Sequence, residues 1–391
     1  MDQRFSLMDP FKIVLISTFF FYFSWMMRQM LIPLYAKYSG ASVAAAGLIM
    51  SSMMLVTCFL APVFGLTSDS LGRKRVICFG LLIGAIATFI FGLIREVWLM
   101  IVISMIFGLS DAAFAPTAHA LVGDITPVKQ IGRSYGLFHT VLQLGQFIGP
   151  LVGGFFILLY GYLNTFILAG VIFFLGFIAA LNLPRGTRAR SSKKLDVRKT
   201  IKVLSHNKLI LVSFGSVFSL TFGWGVIYTF LPLYGIYIGL STAIIGMLLT
   251  AQPIANIIVR GPVGEISDRV GRRLLFLSIA IPIAVLAIAF LGCFTHVAIL
   301  MILMVLVGMG SGTTLTIGSA IIAKETSQET RGLAMGIHVG ALHGGMGLSS
   351  AIIGLVVSRY GFQYGFHAAA IPGCLMSLSV LAMMRKGIIH D

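Results

Sequence analysis

Charged residues are scarce in this 391-residue chain. Only 10% of the residues are Asp, Glu, Lys or Arg, while 58% are hydrophobic and the mean hydropathy is +0.99. Soluble domains carry about a quarter charged residues, and no water-soluble fold of this length buries so much apolar surface. Soluble enzymes and DNA-binding domains are therefore excluded. A membrane span needs roughly 20 apolar residues, so the length accommodates twelve spans and leaves no room for a soluble domain.

The sequence also lacks the usual signatures of catalysis and metal binding. Its four cysteines, Cys58, Cys78, Cys293 and Cys374, lie in or beside apolar stretches, which favours buried thiols over disulfides or zinc ligands. The sequence contains no His/Cys/Asp/Glu cluster with metal spacing, no Ser/His/Asp set and no Walker loop. We therefore expect no enzymatic activity, no metal or cofactor, and no transport driven by ATP.

Apolar segments long enough to cross a bilayer follow one another along the chain. They lie near 13–36, 42–64, 76–94, 97–122, 134–159, 164–184, 209–237, 242–263, 274–293, 297–322, 333–358 and 364–384. The odd-numbered loops hold only Lys37, Arg95 and Arg359, and nearly all other basic residues lie at the termini and in the even-numbered loops. The positive-inside rule then places both termini in the cytoplasm. The net charge of +16 is therefore explained by membrane topology rather than by nucleic-acid binding. We expect a lipid-embedded protein of a prokaryotic cytoplasmic (inner) membrane.

The two halves of the sequence repeat one another. The loop sequence at 65–74 recurs at 264–273, and a Tyr-Gly pair and an arginine in other loops recur at nearly the same spacing. The sequence thus predicts an all-α membrane protein of twelve helices in two six-helix pseudo-repeats. The predicted parts are an N-terminal bundle at 1–184, a basic cytoplasmic linker at 185–208 and a C-terminal bundle at 209–391. Transporters use such repeats to rock around a site near the midplane of the membrane.

Both copies of the repeated loop carry the pattern Gly-x-x-x-Asp-x-x-Gly-Arg-Lys/Arg. The glycines permit a tight reversal between helices, and the aspartate is placed to accept hydrogen bonds from a helix N-terminus or from an arginine. A basic turn that only sets topology is the alternative, but the repetition of the aspartate and glycines favours a breakable latch. The residues of the two sets are Gly65, Asp69, Gly72, Arg73, Lys74 and Asp124 in the first half, and Gly264, Asp268, Gly271, Arg272 and Glu325 in the second.

Span 5 carries a second pattern, Gly-x8-Gly-x3-Gly-Pro-x2-Gly-Gly. Glycines at this spacing give a flat face for close helix packing, and the proline removes a backbone donor and bends the helix. Span 11, its counterpart in the second half, has no Gly-Pro pair. The residues of this pattern are Gly136, Gly145, Gly149, Pro150, Gly153 and Gly154.

The two patterns resemble those of the major facilitator superfamily. The repeated loop resembles its signature loop, and the span 5 pattern resembles the antiporter motif of its drug:proton exporter branch. The resemblance covers the whole chain, and it implies alternating access with Asp69, Arg73 and Asp124 as an inner gate latch that holds the outward-open state. One family feature is missing, because Ser104 stands four residues before Gly108 where the exporters usually carry an arginine. The proton-linked role of that arginine is therefore not carried over.

Two charged residues lie well inside predicted spans, where charge is costly and usually functional. Arg28 is in the outer half of span 1 and Asp111 is near the middle of span 4; by resemblance, both spans line the central cavity. Three interpretations are open: a structural ion pair, Asp111 as the proton carrier or the anchor of a cationic substrate, and Arg28 as the binding site of an anionic substrate. The first two are compatible, because protonation of Asp111 would release Arg28.

Other polar residues inside the spans are weaker candidates. His139, His338 and His343 are possible proton carriers because histidine titrates near neutral pH, although helix packing is the simpler interpretation of each. Polar and aromatic candidates for a substrate cavity are Gln29, Tyr35, Gln143, Gln146, Trp224, Tyr228, Gln252 and Asn256.

The sequence as a whole predicts a secondary active transporter. Its predicted activity is proton-coupled export, by antiport, of small and mostly apolar organic molecules or drugs, carried out by a monomer. One alternative is an exporter or exchanger of organic anions that uses Arg28. A second is a membrane receptor or scaffold that transports nothing, which the two latch sets disfavour because a static protein needs no breakable gate.

Overall fold

The computed structural model describes residues 9–127, 130–184, 202, 204–326 and 330–385, and these residues are helical except for short turns and connections. No strand occurs in these residues. The helices are α1 (Pro10–Tyr38), α2 (Val43–Leu71), α3 (Arg73–Phe91), α4 (Val97–Ile125), α5 and α6 (the two parts of Ile131–Leu181), α7 (Lys208–Tyr237), α8 (Thr242–Val270), α9 (Arg273–Phe290), α10 (Val297–Glu325), α11 (Arg331–Tyr360) and α12 (Phe362–Arg385).

The helical stretch Ile131–Leu181 is two spans joined at a single residue. Gly161 has a φ of 77° and a ψ of 178°, which are not helical, and a positive φ favours glycine because glycine has no Cβ. We call residues 131–160 α5 and residues 162–181 α6. Within the described residues, 11 helical segments are long and apolar enough to cross a membrane, and this joined stretch is one of them. Divided at Gly161, they give the twelve spans that the sequence predicts, and the predicted fold is confirmed.

The internal repeat is visible in the backbone as well as in the sequence. Every residue with a positive φ in the described part of the chain is a glycine, and these glycines fall at equivalent turns of the two halves. Side-chain contacts repeat too: Tyr35 Oη donates to Gly92 O at 2.9 Å, and Tyr234 Oη lies 3.4 Å from Gly292 O. The glycines form the pairs Gly40 and Gly239, Gly72 and Gly271, and Gly161 and Gly361.

Local sequence explains where helices begin. The Asp9 carboxylate accepts a hydrogen bond from the backbone N–H of Phe11, and Pro10 occupies the first turn of α1, where a missing donor costs nothing. In the second half, the side chain of Asn207 accepts hydrogen bonds from two backbone N–H groups at the start of α7. Both helices thus start at a capping residue.

The chain divides into two compact units. Among the described residues, unit 1 comprises 9–41, 52–184 and 241–250, and unit 2 comprises 42–51, 202, 204–240 and 251–385. The units follow the two halves of the sequence except at the first residues of α2 and of α8. The core of unit 1 is rich in aromatic side chains, with the rings of Phe21 and Phe114 stacked at 4.0 Å. Unit 2 has an aliphatic core that includes Leu277, Ile281 and Ile317.

The cysteines differ from the sequence-based expectation. Cys58 and Cys78 are half-buried, but Cys293 and Cys374 are exposed. The prediction of buried thiols is therefore wrong for the last two. An apolar stretch in a membrane protein does not have to face the protein interior, because lipid covers its outer side equally well.

Candidate functional site

Helices α1 and α4 each contribute one charge to the interior of unit 1. Arg28 Nη2 lies 3.3 Å from Asp111 Oδ1, and the side chains of the two residues are 1% and 4% exposed. The two charges therefore form a buried ion pair, which is the first of the three interpretations given for them. Asp111 does not stand alone in a cavity.

Three aromatic side chains complete the surroundings of this pair. Trp25 Nε1 donates a hydrogen bond of 2.7 Å to Asp111 Oδ2. The guanidinium carbon of Arg28 lies 4.3 Å from the ring centroid of Phe107 and 4.8 Å from that of Phe173. Aromatic ring faces attract cations at such distances. We call Trp25, Arg28, Phe107, Asp111 and Phe173 the charge-pair cluster.

The sequence analysis identified the two charges of this cluster but missed its aromatic members. Trp25 precedes Arg28 by three residues and Phe107 precedes Asp111 by four, and residues at these spacings share a helix face. Helical periodicity therefore offered a signal for two of the three rings. Phe173 comes from α6, and only the fold brings it to the guanidinium.

The ion pair has few hydrogen bonds for a buried one. Arg28 Nε and Nη1 have no hydrogen-bond partner, and 3.3 Å is long for a charge-assisted bond. A buried ion pair offsets its desolvation only with excellent geometry and additional hydrogen bonds. The two rings stabilise the guanidinium without help from the carboxylate. Part of the stabilisation of the Arg28 charge therefore does not depend on the ionisation of Asp111.

Arg73 is the centre of the first loop motif. Its side chain is 5% exposed, and its Nη2 lies 2.5 Å from Asp69 Oδ1 while its Nε lies 3.0 Å from Asp124 Oδ2. Its Nη1 donates to Ser68 Oγ and, at 3.5 Å, to Gly65 O. One buried guanidinium therefore connects the end of α2, the start of α3 and the end of α4.

The residues beside Arg73 fix this loop in place. Gly72 adopts a φ of 92° at the start of α3, a conformation that strains any residue with a Cβ. Lys74 Nζ donates to Leu181 O at 2.5 Å and to Leu183 O at 2.7 Å. The last carbonyls of a helix have no partner inside the helix. Lys74 satisfies the carbonyl of Leu181, the last residue of α6, and that of Leu183 just beyond it, and so attaches the loop to the end of α6. No sequence pattern indicated this contact.

The second loop motif uses a different arginine from the one that the repeat indicated. Arg273 Nη2 lies 3.5 Å from Asp268 Oδ1, and Arg273 Nη1 donates to Ala320 O at 3.1 Å. Arg272, the residue aligned with Arg73, is exposed. Glu325 accepts a hydrogen bond of 2.8 Å from Asn207 Nδ2. Gly271, with a φ of 72°, turns the chain as Gly72 does, and Gly264 lies in α8 near α10.

The glycines of α5 pack directly on α1. A Cβ on Gly145 or Gly149 would lie between 2.7 and 2.8 Å from backbone atoms of α1, and a Cβ on Gly153 would lie 3.0 Å from Met27 Cγ. Real Cβ atoms essentially never lie closer than 3.0 Å to another atom, so a side chain at Gly145 or Gly149 would force the backbones apart, whereas Met27 must only shift slightly for a side chain at Gly153. The small residues therefore permit the close approach of two helices that the motif predicts.

The same motif also meets the first turns of α8, which belong to unit 1. Gly154 faces the carbonyl of Thr242, and Gly246 faces the carbonyl of Pro150. Thr242 Oγ1 donates to Gly154 O at 2.8 Å. Gly136, at the other end of the motif, has no neighbour within 4 Å of the position of a Cβ. The packing role is thus concentrated in the part of the motif that surrounds the proline.

The three candidate histidines do not join the charge-pair cluster. The ring centroid of His139 lies 5.5 Å from that of His119. His338 is 4% exposed and its Nδ1 has no partner, and His343 Nδ1 lies 3.1 Å from Val339 O. Among the residues whose placement is known, none of the three forms a hydrogen bond or ion pair with Asp111.

The cavity candidates of the two halves have different surroundings. Tyr35 is tied to Gly92 by the hydrogen bond described above, which indicates a structural role. Gln29 has no hydrogen-bond partner for either atom of its buried amide, and Trp224 has none for its buried Nε1. The remaining candidates of unit 1 are Gln143, which is buried, and Gln146, which is half-buried.

In unit 2, side chains of α7, α8 and α10 form a continuous line of hydrogen bonds. Tyr228 Oη donates to Gln252 Oε1 at 3.0 Å, and Gln252 Nε2 and Asn256 Nδ2 donate to Ser311 Oγ at 3.3 and 3.0 Å. Arg260 Nε donates to Asn256 Oδ1 at 2.6 Å. We call these five residues the polar chain. The sequence identified Tyr228, Gln252 and Asn256 but neither Ser311 nor the part played by Arg260.

The chain has twelve apolar helices in two repeated sets. One unit holds a buried charge pair and the other holds the polar chain. Together these features define a membrane transport protein with many spans. The family model of the Major Facilitator Superfamily matches residues 14–243 and 214–387. The chain belongs to this family, and it is an integral membrane transporter of small molecules. The resemblance inferred from the two sequence motifs is confirmed.

Relatives and solved structures agree with this assignment. An uncharacterized MFS-type transporter of Methanocaldococcus jannaschii is 24% identical over 87% of this chain and 89% of its own length. The multidrug resistance protein MdtG of Enterobacter lignolyticus is 26% identical over 87% and 84%, and the quinolone resistance protein NorA of Staphylococcus aureus is 26% identical over 52% of each chain. The crystal structure of the nucleoside transporter NupG has a TM-score of 0.78 at 18% identity, covering 96% of this chain and 99% of NupG, which shows the fold alone.

Proposed function

We propose that the protein is a proton-coupled exporter of small, mostly apolar organic molecules. The observation that carries this proposal is Asp111, a carboxylate buried in a membrane-spanning helix and paired with one cation. Two relatives are a multidrug resistance protein and a quinolone resistance protein, and this similarity supports export of such molecules. We further propose that the protein works as a monomer, by alternating access, in a prokaryotic cytoplasmic membrane with both termini in the cytoplasm.

Protonation of Asp111 is proposed to alter the contact between α1 and α4. The ionised carboxylate accepts hydrogen bonds from Trp25 and Arg28, both on α1. A proton removes the negative charge and weakens both bonds, because charge-assisted bonds are about twice as strong as neutral ones. Phe107 and Phe173 still stabilise the guanidinium, so a neutral Asp111 does not leave a buried charge without any favourable contact. Proton binding thereby loosens α1 from α4 at a limited cost.

The loop motifs and the glycine motif are proposed to serve the conformational change. Asp69, Arg73 and Asp124 form a set of charged contacts that can break and re-form as a gate. Pro150 and its neighbouring glycines provide a flat surface for close helix packing during closure. The alternative in which Arg28 binds an organic anion has less support, because Asp111 already neutralises the guanidinium and two rings enclose it.

The decisive experiment is export of a fluorescent lipophilic dye from proteoliposomes, with and without a proton gradient. Asp111→Asn keeps the shape of the side chain but cannot exchange a proton, so we expect gradient-driven export to be abolished while passive exchange of a neutral substrate survives. Glu96→Gln is the matched control, because Glu96 is an exposed carboxylate at the start of the same helix. Full gradient-driven export by Asp111→Asn would remove Asp111 from the mechanism and direct attention to the histidines or to a uniporter.

A further inference from the structure

Arg260 is a half-buried cation in α8 that has no opposite charge beside it. It lies about ten residues before the end of α8 at Val270, a distance of roughly 15 Å along the helix. In the part of the chain that the structure describes, no acidic side chain forms an ion pair with Arg260. The described acidic residues of unit 2 have other partners, namely Glu265 with Arg269, Asp268 with Arg273, and Glu325 with Asn207.

The Arg260 side chain does not extend towards the nearer membrane surface. Long basic side chains in a membrane usually extend to the nearer interface. Arg260 Nε instead donates to Asn256 Oδ1 at 2.6 Å, and Asn256 lies one helical turn further from the nearer end of α8. The guanidinium is therefore held towards the middle of the helix, where an uncompensated charge is costly.

The two amide oxygens and the serine hydroxyl of the polar chain each already accept a hydrogen bond, and both ends of the chain present donors. Gln252 Oε1 is taken by Tyr228, Asn256 Oδ1 is taken by Arg260, and Ser311 Oγ accepts from both amides. The hydroxyl of Ser311 donates in turn to Gly308 O at 3.0 Å. At one end are the two terminal nitrogens of Arg260, for which the described residues provide no hydrogen bond; only its Nε is bonded, to Asn256.

The other end of the chain also presents a donor. The rings of Trp224 and Tyr228 pack edge to face at 6.2 Å, and the buried Nε1 of Trp224 has no partner. A buried donor without a partner costs about 1–3 kcal/mol. A line of side chains that ends in donors without partners and carries one positive charge is complementary to a ligand that is rich in acceptors and negatively charged.

We propose that the polar chain is a binding subsite for a carboxylate on an otherwise apolar substrate, with Arg260 as its charged contact. The proposal rests on the proposed function as an exporter of organic molecules, and it names the chemical class of substrate. The planar guanidinium presents two parallel N–H groups that match the two oxygens of a carboxylate. Recognition of the anion thus belongs to unit 2 and Arg260, and Arg28 in unit 1 remains the partner of Asp111.

The test compares two probes that share one ring system, 2-naphthoate and its neutral analogue 2-naphthamide. Binding to the purified full-length protein in detergent is measured by calorimetry. Two variants remove the anion site by different means. Arg260→Gln deletes the positive charge, and Asn256→Asp neutralises it in place with a side chain of the same shape, so one variant remains informative if the other does not fold. Arg269→Gln is the control, because it removes an exposed arginine from the same helix.

We expect the wild-type protein and Arg269→Gln to bind naphthoate more tightly than naphthamide. In Arg260→Gln and Asn256→Asp, the Kd for naphthoate rises roughly tenfold to a hundredfold, as expected for the loss of a charge-assisted contact. The Kd for naphthamide stays unchanged. Equal binding of the two probes by the wild-type protein, no binding of naphthoate, or unchanged naphthoate binding by either variant would each overturn the proposal.

This experiment separates the anion site from proton coupling, because detergent solution holds no proton gradient. Selective naphthoate binding that depends on Arg260 supports the subsite even if Asp111→Asn exports normally. Equal binding of the two probes by the wild-type protein removes the subsite and leaves gradient-driven export to be decided by Asp111 alone.

Discussion

Replacing Trp25 by phenylalanine changes one interaction of the proposed proton site. The indole Nε1 donates a hydrogen bond of 2.7 Å to Asp111 Oδ2, and Phe keeps an aromatic ring at this position but cannot donate. The bond favours the ionised carboxylate. Its removal favours the protonated acid, so Asp111 binds its proton at a higher pH in the variant than in the wild-type protein.

The size of the effect follows from the strength of the lost bond. A hydrogen bond to a charged group contributes about 1.5–3 kcal/mol, and one pH unit corresponds to about 1.4 kcal/mol. We therefore expect the midpoint of the pH dependence of export to rise by about one to two pH units. The true value is at the lower end of this range if water replaces part of the lost bond.

The assay is dye export from proteoliposomes at a constant pH difference and a varied absolute pH. Trp98→Phe is the matched control, because Trp98 is an exposed residue of α4 and its loss changes no contact of Asp111. A purely structural role of Trp25 would lower the maximal rate and leave the midpoint in place. A midpoint identical to that of the wild-type protein would refute the assignment of Trp25 and Asp111 to one titrating site.

Three further outcomes are expected. Arg28→Ala moves the midpoint of export to higher pH and lowers the melting temperature, and a midpoint that stays in place would contradict the pairing. Asp69→Asn impairs transport and shifts the protein towards the inward-open state, with little loss of fold because the Asp69 side chain is 42% exposed. Spin-label distances between the cytoplasmic ends of the two halves, measured together with transport, test this shift. Unchanged distances together with normal transport would contradict the latch. Gly149→Leu combined with Pro150→Ala damages coupling or closure more than expression. Transport and expression measured in parallel test this expectation. Normal export by the double variant would show that the motif is an ordinary helix surface.

The fold was accessible from the sequence because a membrane constrains it strongly. Apolar runs must be helices when the backbone has no water to bond with, so their number is visible without any contact information. Their limits are less accessible, because α2 and α8 continue to Leu71 and Val270, beyond the predicted spans. The repeat was equally accessible, since Asp69 and Asp268 lie in two copies of the same sequence pattern, at the ends of α2 and α8. Gly161 and Gly361 mark a further repeated turn, which the structure shows as the same backbone conformation in both halves.

The surroundings of the charges were less accessible, because they depend on which helices lie side by side. Nothing in the sequence connects Phe173 with Arg28, and nothing distinguishes Arg273 from Arg272 as the partner of Asp268. A difference of one residue rotates a side chain by about 100° around a helix. Such assignments follow from packing rather than from pattern.

Arg28 and Asp111 cannot simply be exchanged, although an exchange would conserve the total charge. Phe107 and Phe173 turn the negative faces of their rings towards position 28, so a carboxylate placed there would meet repulsion from both sides. The aromatic pair thus determines which sign of charge α1 carries. A lineage that reversed the two charges would have to replace the rings as well, and substitutions at these four positions should therefore be correlated among descendants of a common ancestor.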